Sequence, residues 1–328
     1  MTLLFQDGFD AGDYAIKWYC DYTGGLAADA TVTRFGSGRS LRASAANHHV
    51  DRAIPPASKV IVGAAMICNS NCAITLLGDA GSTAHCSVQF TPTTIAVKRG
   101  TTGTGTVVSA NYTFLADAFY YVEVSATVAD SGGRWVVRVN GEVIIDFTGD
   151  TRAGGTSPTI DLVQLWQASN VACWWDDVYI CDGNGTTNND FLGDVRVRTL
   201  PPTGPGATTQ LTPSSGANWS CVDELPYSAA DYVSGSVVGN KDTYVTSDIP
   251  AGYDVKGIQL NAVAKKTDAG PRTLKTVVRS GGVDYSGPGQ ALGSSDSLVT
   301  RTLEQDPATS AAWTASAVNA MEIGVEVA

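Results

Sequence analysis

No stretch of this chain approaches the roughly 20 consecutive apolar residues of a membrane-spanning helix, and its opening residues, MTLLFQDGFD, lack both the basic region and the apolar core of a secretory signal. Both absences lead to the expectation of a soluble chain made in the cytosol, with no membrane insertion. Positive charge is scarce: 21 Lys and Arg stand against 32 Asp and Glu, for a formal charge of −11. Nucleic acid and anionic membrane surfaces are recognised by clustered cations that neutralise phosphates, so neither fits as a partner. Histidine is rarer still, at three residues, His48, His49 and His85. Adjacent residues on a strand point oppositely, so His48 and His49 cannot act together, and no Ser/His/Asp or three-His constellation can be assembled. The seven cysteines are an odd number in a chain without a leader, which predicts buried, reduced thiols. Neither the Cys68/Cys72 spacing nor the Cys173/Cys181 spacing is the C-x-x-C of a zinc site.

Sustained 3.6-residue periodicity is missing too. Short runs rich in β-branched and aromatic residues take its place, separated by turns drawn from 35 Gly and 13 Pro. RWVVRVNGEVIIDF, residues 134–147, is the plainest hairpin, since Asn140 and Gly141 suit a type I′ turn. Two-residue register would set Trp135 across from Asp146 and Val137 across from Ile144. Four prolines and several glycines then crowd residues 199–218, TLPPTGPGATTQLTPSSGAN, which reads as a linker because proline cannot donate to a strand ladder. Alternation resumes in KGIQLNAVAK and MEIGVEV, and TASAVNA offers one helical turn capped by Thr314 or Ser316. The expected fold is therefore all-β. Two antiparallel β-sandwich, jelly-roll domains, residues 1–198 and 219–328, are joined by the 199–218 linker.

The densest chemistry lies in CWWDDVYICDGNGTTNND, residues 173–190. On a regular strand Trp174, Asp176 and Val178 share one face while Trp175, Asp177 and Tyr179 share the other, so the two carboxylates would diverge and could not work as a pair. One tryptophan is expected in the core, and one Asp as acceptor for a neighbouring turn. The loop that follows offers Asp182, Asn184, Asn188 and Asp190 as oxygen ligands for Ca²⁺, against the plain turn they also suit. Thr187 and Gly193 stand where an EF-hand needs its Gly and its bidentate Glu. MEIGVEV approximates the carboxylate run of sandwich glycosidases, but Gly324 replaces the central acid and Glu322 and Glu326 would lie roughly 13 Å apart. The glycines of RGTTGTGTVV lack the Lys and the following helix of a phosphate loop. With no metal cluster or paired acid, no cofactor is called for. Trp18, Tyr19, Tyr22, Trp219, Tyr227, Tyr232 and Trp313 remain as aromatics able to serve an interface or stack on sugar rings.

From FQDGFD through GSGRSLRA and the WVVRVNGEVI hairpin to WWDDVYICDG, the first domain resembles the concanavalin-like, laminin-G-like jelly rolls. In that family a late Asn-Gly hairpin is followed by a strand ending in Asp-hydrophobic-aromatic, matched here by Asp177, Val178 and Tyr179. The succession CDGNGTTNNDFLGDVRVRTLPPTG, NKDTYVTSDIP, VKGIQLNAVAKKTDAGPRTL and PATSAAWTASAVNAMEIGVEV resembles virion structural proteins of tailed bacteriophages. That resemblance implies a non-enzymatic virion component of the tail, fibre or head decoration. It would be a homo-oligomer, a trimer by analogy, docked on other virion proteins and presenting a lectin-like surface. The alternatives are a module that binds a host surface glycan and an enzyme that degrades a polysaccharide.

Overall fold

A computed structural model describes residues 2–20, 24–101 and 103–328, which divide into two compact units, Met1–Arg198 and Thr199–Ala328. Both are all-β and antiparallel. The strands of the first unit are β1 (Leu3–Asp7), β2 (Tyr19–Cys20), β3 (Leu26–Asp29), β4 (Ser40–Ala43), β5 (His49–Ala57), β6 (Lys59–Ile67), β7 (Cys72–Gly78) and β8 (Thr83–Thr91). They continue with β9 (Thr94–Lys98), β10 (Thr106–Asn111), β11 (Phe119–Thr127), β12 (Gly133–Val139), β13 (Glu142–Gly149), β14 (Ile160–Gln167) and β15 (Cys173–Asp182). They form a two-sheet jelly roll. One sheet runs β13-β12-β11-β6-β15-β4-β3, with β1 also paired to β15; the other runs β10-β9-β8-β7-β14-β5-β2.

The core between the sheets follows from alternation. Val60, Val62, Ala64 and Met66 of β6 face Cys72, Ile74 and Leu76 of β7, and Trp135, Trp175 and Phe90 fill the space between them. Burying each such aromatic or aliphatic side chain contributes roughly 1.5–3 kcal/mol. All seven cysteines carry free thiols, six of them buried.

The β12–β13 hairpin turns at Asn140 and Gly141, whose φ values of 49° and 83° are what a type I′ turn requires. Its register departs from simple two-residue pairing. Trp135 pairs with Phe147 and Val137 with Ile145, because a bulge between Val137 and Arg138 inserts an extra residue.

In the second unit, residues 202–209 are not a linker. Pro202–Thr209 is the edge strand of a six-stranded sheet, paired to Lys241–Thr246. An edge strand tolerates proline because one of its sides needs no N–H donor, and the ladder slips at Pro202/Gly204 and Pro205/Thr209. Asp242 gathers the following turn, accepting bonds from the main-chain N–H groups of Gln210 (2.6 Å) and Leu211 (2.8 Å) and from Asn218 Nδ2 (2.6 Å). The helix Ala315–Ala320 is capped by Thr314, whose hydroxyl accepts from Ala317 N–H. It packs with Trp313, Ile258, Leu260 and Leu303 into this unit's own core.

Candidate functional site

The two sheets of the first unit treat their outward faces differently. On the eight-stranded sheet, Leu3, Ile61, Ala65, Tyr121, Tyr179 and Cys181 form an apolar patch on which Phe191, Leu192 and Val195 are laid. A β-bulge makes that cover fit. Asp177 adopts φ 49°, and the β15–β6 register slips between Asp176 and Tyr179. Trp175 therefore faces the core before the bulge and Val178 and Ile180 face it after, which sends Tyr179 outward over Gly63, where a Cβ would collide with its ring.

The bulge puts both Asp176 and Asp177 between the core-facing Trp175 and Val178, so the two do not alternate as they would on a regular strand. Asp177 N–H donates to Asp176 Oδ1 at 2.8 Å. Asp177 accepts from Arg34 Nη1 (2.7 Å) and from Val197 N–H (2.7 Å), and Arg34 also donates to Val195 O (2.9 Å). Leu192 N–H and Gly193 N–H are taken by the Tyr179 hydroxyl and Glu123. Asp177, Arg34, Tyr179 and Glu123 thus tie down the segment around residues 192–197. Burial, then the neighbouring Asp177, pushes the Asp176 carboxyl up to about 8. The expected tryptophan in the core is Trp175, and the expected acceptor for a neighbouring segment is Asp177.

The outward face of the seven-stranded sheet carries no such apolar patch. Register places one residue from every strand in a single row: Tyr19, Asp51, Gln164, Thr75, Ser87, Lys98 and Thr106. From Tyr19 to Lys98 each is next to a residue in the core or packed against it and so points away from the core, while Thr106 lies at a register slip beside exposed Val107. Six inter-strand spacings of about 4.8 Å give the row a length of roughly 29 Å. A second row beside it holds His49, Trp166, Ala73, Gln89 and Ala96. Side chains within these rows bond one another. Gln164 Nε2 donates to Asp51 Oδ1 (3.0 Å), the Thr75 and Ser87 hydroxyls meet at 2.9 Å, and Gln89 Nε2 donates to Asn71 Oδ1 (2.5 Å). His49 Nε2 lies 3.5 Å from Asp51 Oδ2, and its Nδ1 is 3.2 Å from Asn47 O. Thr75, Ser87 and Lys98 are buried in the middle of the row, whereas Asp51, Gln164, His49, Gln89 and Trp166 are half-buried and Tyr19 is 66% exposed, so the accessible part of the face is two aromatic rings beside amides, an imidazole and one carboxylate.

Of the aromatics singled out from sequence, Tyr19 falls on this row. Trp18 does not reach the surface: it is 2% exposed, edge-on to Phe5, and its indole donates to Asp7 at 2.9 Å. Trp313 is likewise core, donating to Leu303 O. Trp219 is half-buried in the Asn218–Cys221 turn, Tyr227 and Tyr232 are exposed in the second unit, and Tyr22 lies outside the described residues. In the loop after β15, Asp182 accepts from Asn184 N–H and Nδ2, and Asp190 accepts from Phe191 N–H. Asn188 takes φ 53°, and the described residues contain no group of three or more His, Cys, Asp or Glu able to hold a metal ion. Glu322 and Glu326 are ion-paired with Arg279 and Lys275. Trp166, Gln164 and Gln89 carry no motif. They become visible only when sequence-distant strands are set in register.

No protein-family model matches the chain, and no curated protein matches it. Solved structures do. One is a sialidase (16% identity, TM-score 0.41), aligned over 55% of this chain and 18% of its own. Another is the alginate lyase Aly36B (10%, TM-score 0.37; 55% of this chain, 92% of that one). A third is a protein of unknown function with a galectin-like fold from Bacillus subtilis (13%, TM-score 0.39; 56% and 98%). The chain spans less than a fifth of the sialidase. Two of these three similar proteins are named as enzymes, so the expectation of a chain without enzymatic activity does not stand.

Proposed function

We propose that the first unit binds a saccharide chain along the outward face of its seven-stranded sheet. The observation that carries this reading is the accessible part of the two rows, where Tyr19, Asp51 and Gln164 lie beside His49, Trp166 and Gln89. Pyranose rings present hydroxyls at their edges and C–H groups on their faces. Amides, hydroxyls and carboxylates bond the first, and aromatic rings pack on the second. A row of roughly 29 Å is long enough for an oligosaccharide rather than a single sugar. Several of the polar groups already bond one another, which holds them in place before a ligand arrives and lowers the ordering cost of binding.

A glycan array probed with the full chain and with Trp166→Ala is the test. The expected result is retention of a discrete set of oligosaccharides, weakened at least tenfold by the substitution. Equal retention by the variant, or none by the wild type, contradicts the reading.

The His49–Asp51 pair favours a second reading, in which the bound chain is also cleaved: a carboxylate beside an imidazole is the arrangement that orients and charges a general acid or base. New reducing or unsaturated ends released from a retained glycan, and lost in His49→Ala, would support it. The resemblance of residues 181–204, 240–250, 255–274 and 307–327 to tailed-phage virion proteins supports placing this binding on a virion, facing a host surface glycan.

A further inference from the structure

A second site lies on the other sheet, clear of the row just described. Trp174 on β15 points away from the core, between two adjoining cavities of about 440 and 600 Å³ that share Thr31, Val32 and Trp174 in their walls. The ring is held from behind. Its Nε1 donates to Asp29 Oδ2 at 3.0 Å, and Asp29 in turn accepts from Thr31 N–H (2.7 Å) and the Thr31 hydroxyl (2.6 Å). Burial alone would push the Asp29 carboxyl up. The bonds from Thr31 and Trp174 overcome that and hold it near 2, so it stays an acceptor at any physiological pH.

The larger cavity is also lined by Arg39 and Arg42. Both are half-buried, Arg42 sits directly across from Trp174 in the β4–β15 ladder, and among the described residues neither guanidinium makes an ion pair or side-chain hydrogen bond. Arg34, Arg99, Arg134, Arg152 and Arg279, by contrast, all have carboxylate partners. The smaller cavity is milder, with Val32, Ile67 and Phe119 against Thr33 and Asp117.

We propose that this cleft binds a carboxylate-bearing sugar residue of an oligosaccharide. The planar guanidinium forks of Arg39 and Arg42 match a carboxylate bidentately. Trp174, fixed by Asp29, offers a ring for the sugar to pack on, and the smaller cavity takes the neighbouring residue. Two half-buried cations that have no side-chain partner among the described residues are poised to exchange water for an anion, which an interior ion pair would prevent.

The test is titration calorimetry of the full chain with tetragalacturonate, its fully methyl-esterified form and cellotetraose, in parallel with Arg39→Gln, Arg42→Gln and Trp174→Phe. Tetragalacturonate should bind the wild type and lose at least tenfold in affinity on esterification and in either arginine variant. Affinity should fall with added salt, and quenching of tryptophan fluorescence on binding should shrink in Trp174→Phe. Thermal midpoints near that of the wild type show that the variants fold. Equal affinity for the ester, undiminished binding in both arginine variants, or no binding of tetragalacturonate would each overturn the proposal. Acid-sugar binding abolished by Trp166→Ala but untouched by the arginine variants would overturn it while leaving the sheet-face reading intact.

Discussion

The outward faces of the two sheets in the first unit began with the same problem and met it in opposite ways. On the eight-stranded sheet Leu3, Ile61, Tyr121 and Tyr179 are apolar, and the chain returns to cover them with Phe191, Leu192 and Val195. On the seven-stranded sheet the corresponding positions are polar: Thr75 and Ser87 are buried and bond each other, while Asp51, Gln164 and Gln89 are half-buried and can meet water or a polar ligand. A sheet face has to be covered or be polar. Polarity leaves it available for another molecule. Trp174 belongs to neither solution, because it lies on the first sheet and lines two cavities.

The largest expected effect comes from uncovering the closed face. Asp177→Ala removes one of the two carboxylates on Arg34, leaving Asp194 and Val195 O, and frees the segment ending at Val197. Loss of hydrogen bonds to a charged group costs about 1.5 to 3 kcal/mol, which urea denaturation reads directly. A variant as stable as the wild type would show that the cover is held by apolar contact alone. Trp166→Ala on the open face should do the reverse, weakening saccharide at least tenfold with little loss of stability, because a half-buried ring facing outward packs on little. A large fall in stability would mean that Trp166 is structural.

A pH series sharpens the same contrast. Asp176 titrates near 8 in the folded chain, against about 3.9 when unfolded. Between those values the unfolded chain has released a proton that the folded chain keeps, so stability contributed below pH 4 is lost as pH rises towards 8. Stability should therefore decline over that window, and Asp176→Asn should flatten the decline. An equal slope in the variant would locate the titrating group elsewhere. The smallest effect is expected at the loop after β15. Asp182 and Asp190 bond the amides of their own turns, so added Ca²⁺ should leave the thermal midpoint unchanged, and a rise would show that the loop binds the ion.

Alternation and turn chemistry made much of this fold legible in advance. The all-β class, the Asn140-Gly141 turn and the Thr314 cap follow from local rules that no distant contact overrides. What stayed hidden depends on geometry that period-two patterning does not encode. A bulge at Asp177 needs a non-glycine residue at positive φ, and nothing in WWDDVY announces it. Proline spacing alone cannot distinguish a linker from an edge strand such as Pro202–Thr209. Sequence leaves Trp18 open between core and contact, and it is the partners Asp7 and Phe5, distant in pattern, that make it core. The saccharide row joins residues 19, 51, 164, 75, 87, 98 and 106, an order set by the jelly-roll crossovers and not by any motif.

Hydroxyl-radical footprinting of the full chain, with and without an oligosaccharide retained on the array, tests the central claim most directly. The prediction is protection of Tyr19 and Trp166 together, with Tyr227 and Tyr232 of the second unit reacting as they do in the free protein. Protection confined to Tyr227 and Tyr232, with Tyr19 and Trp166 oxidised at their free rates, would contradict saccharide binding on the seven-stranded sheet.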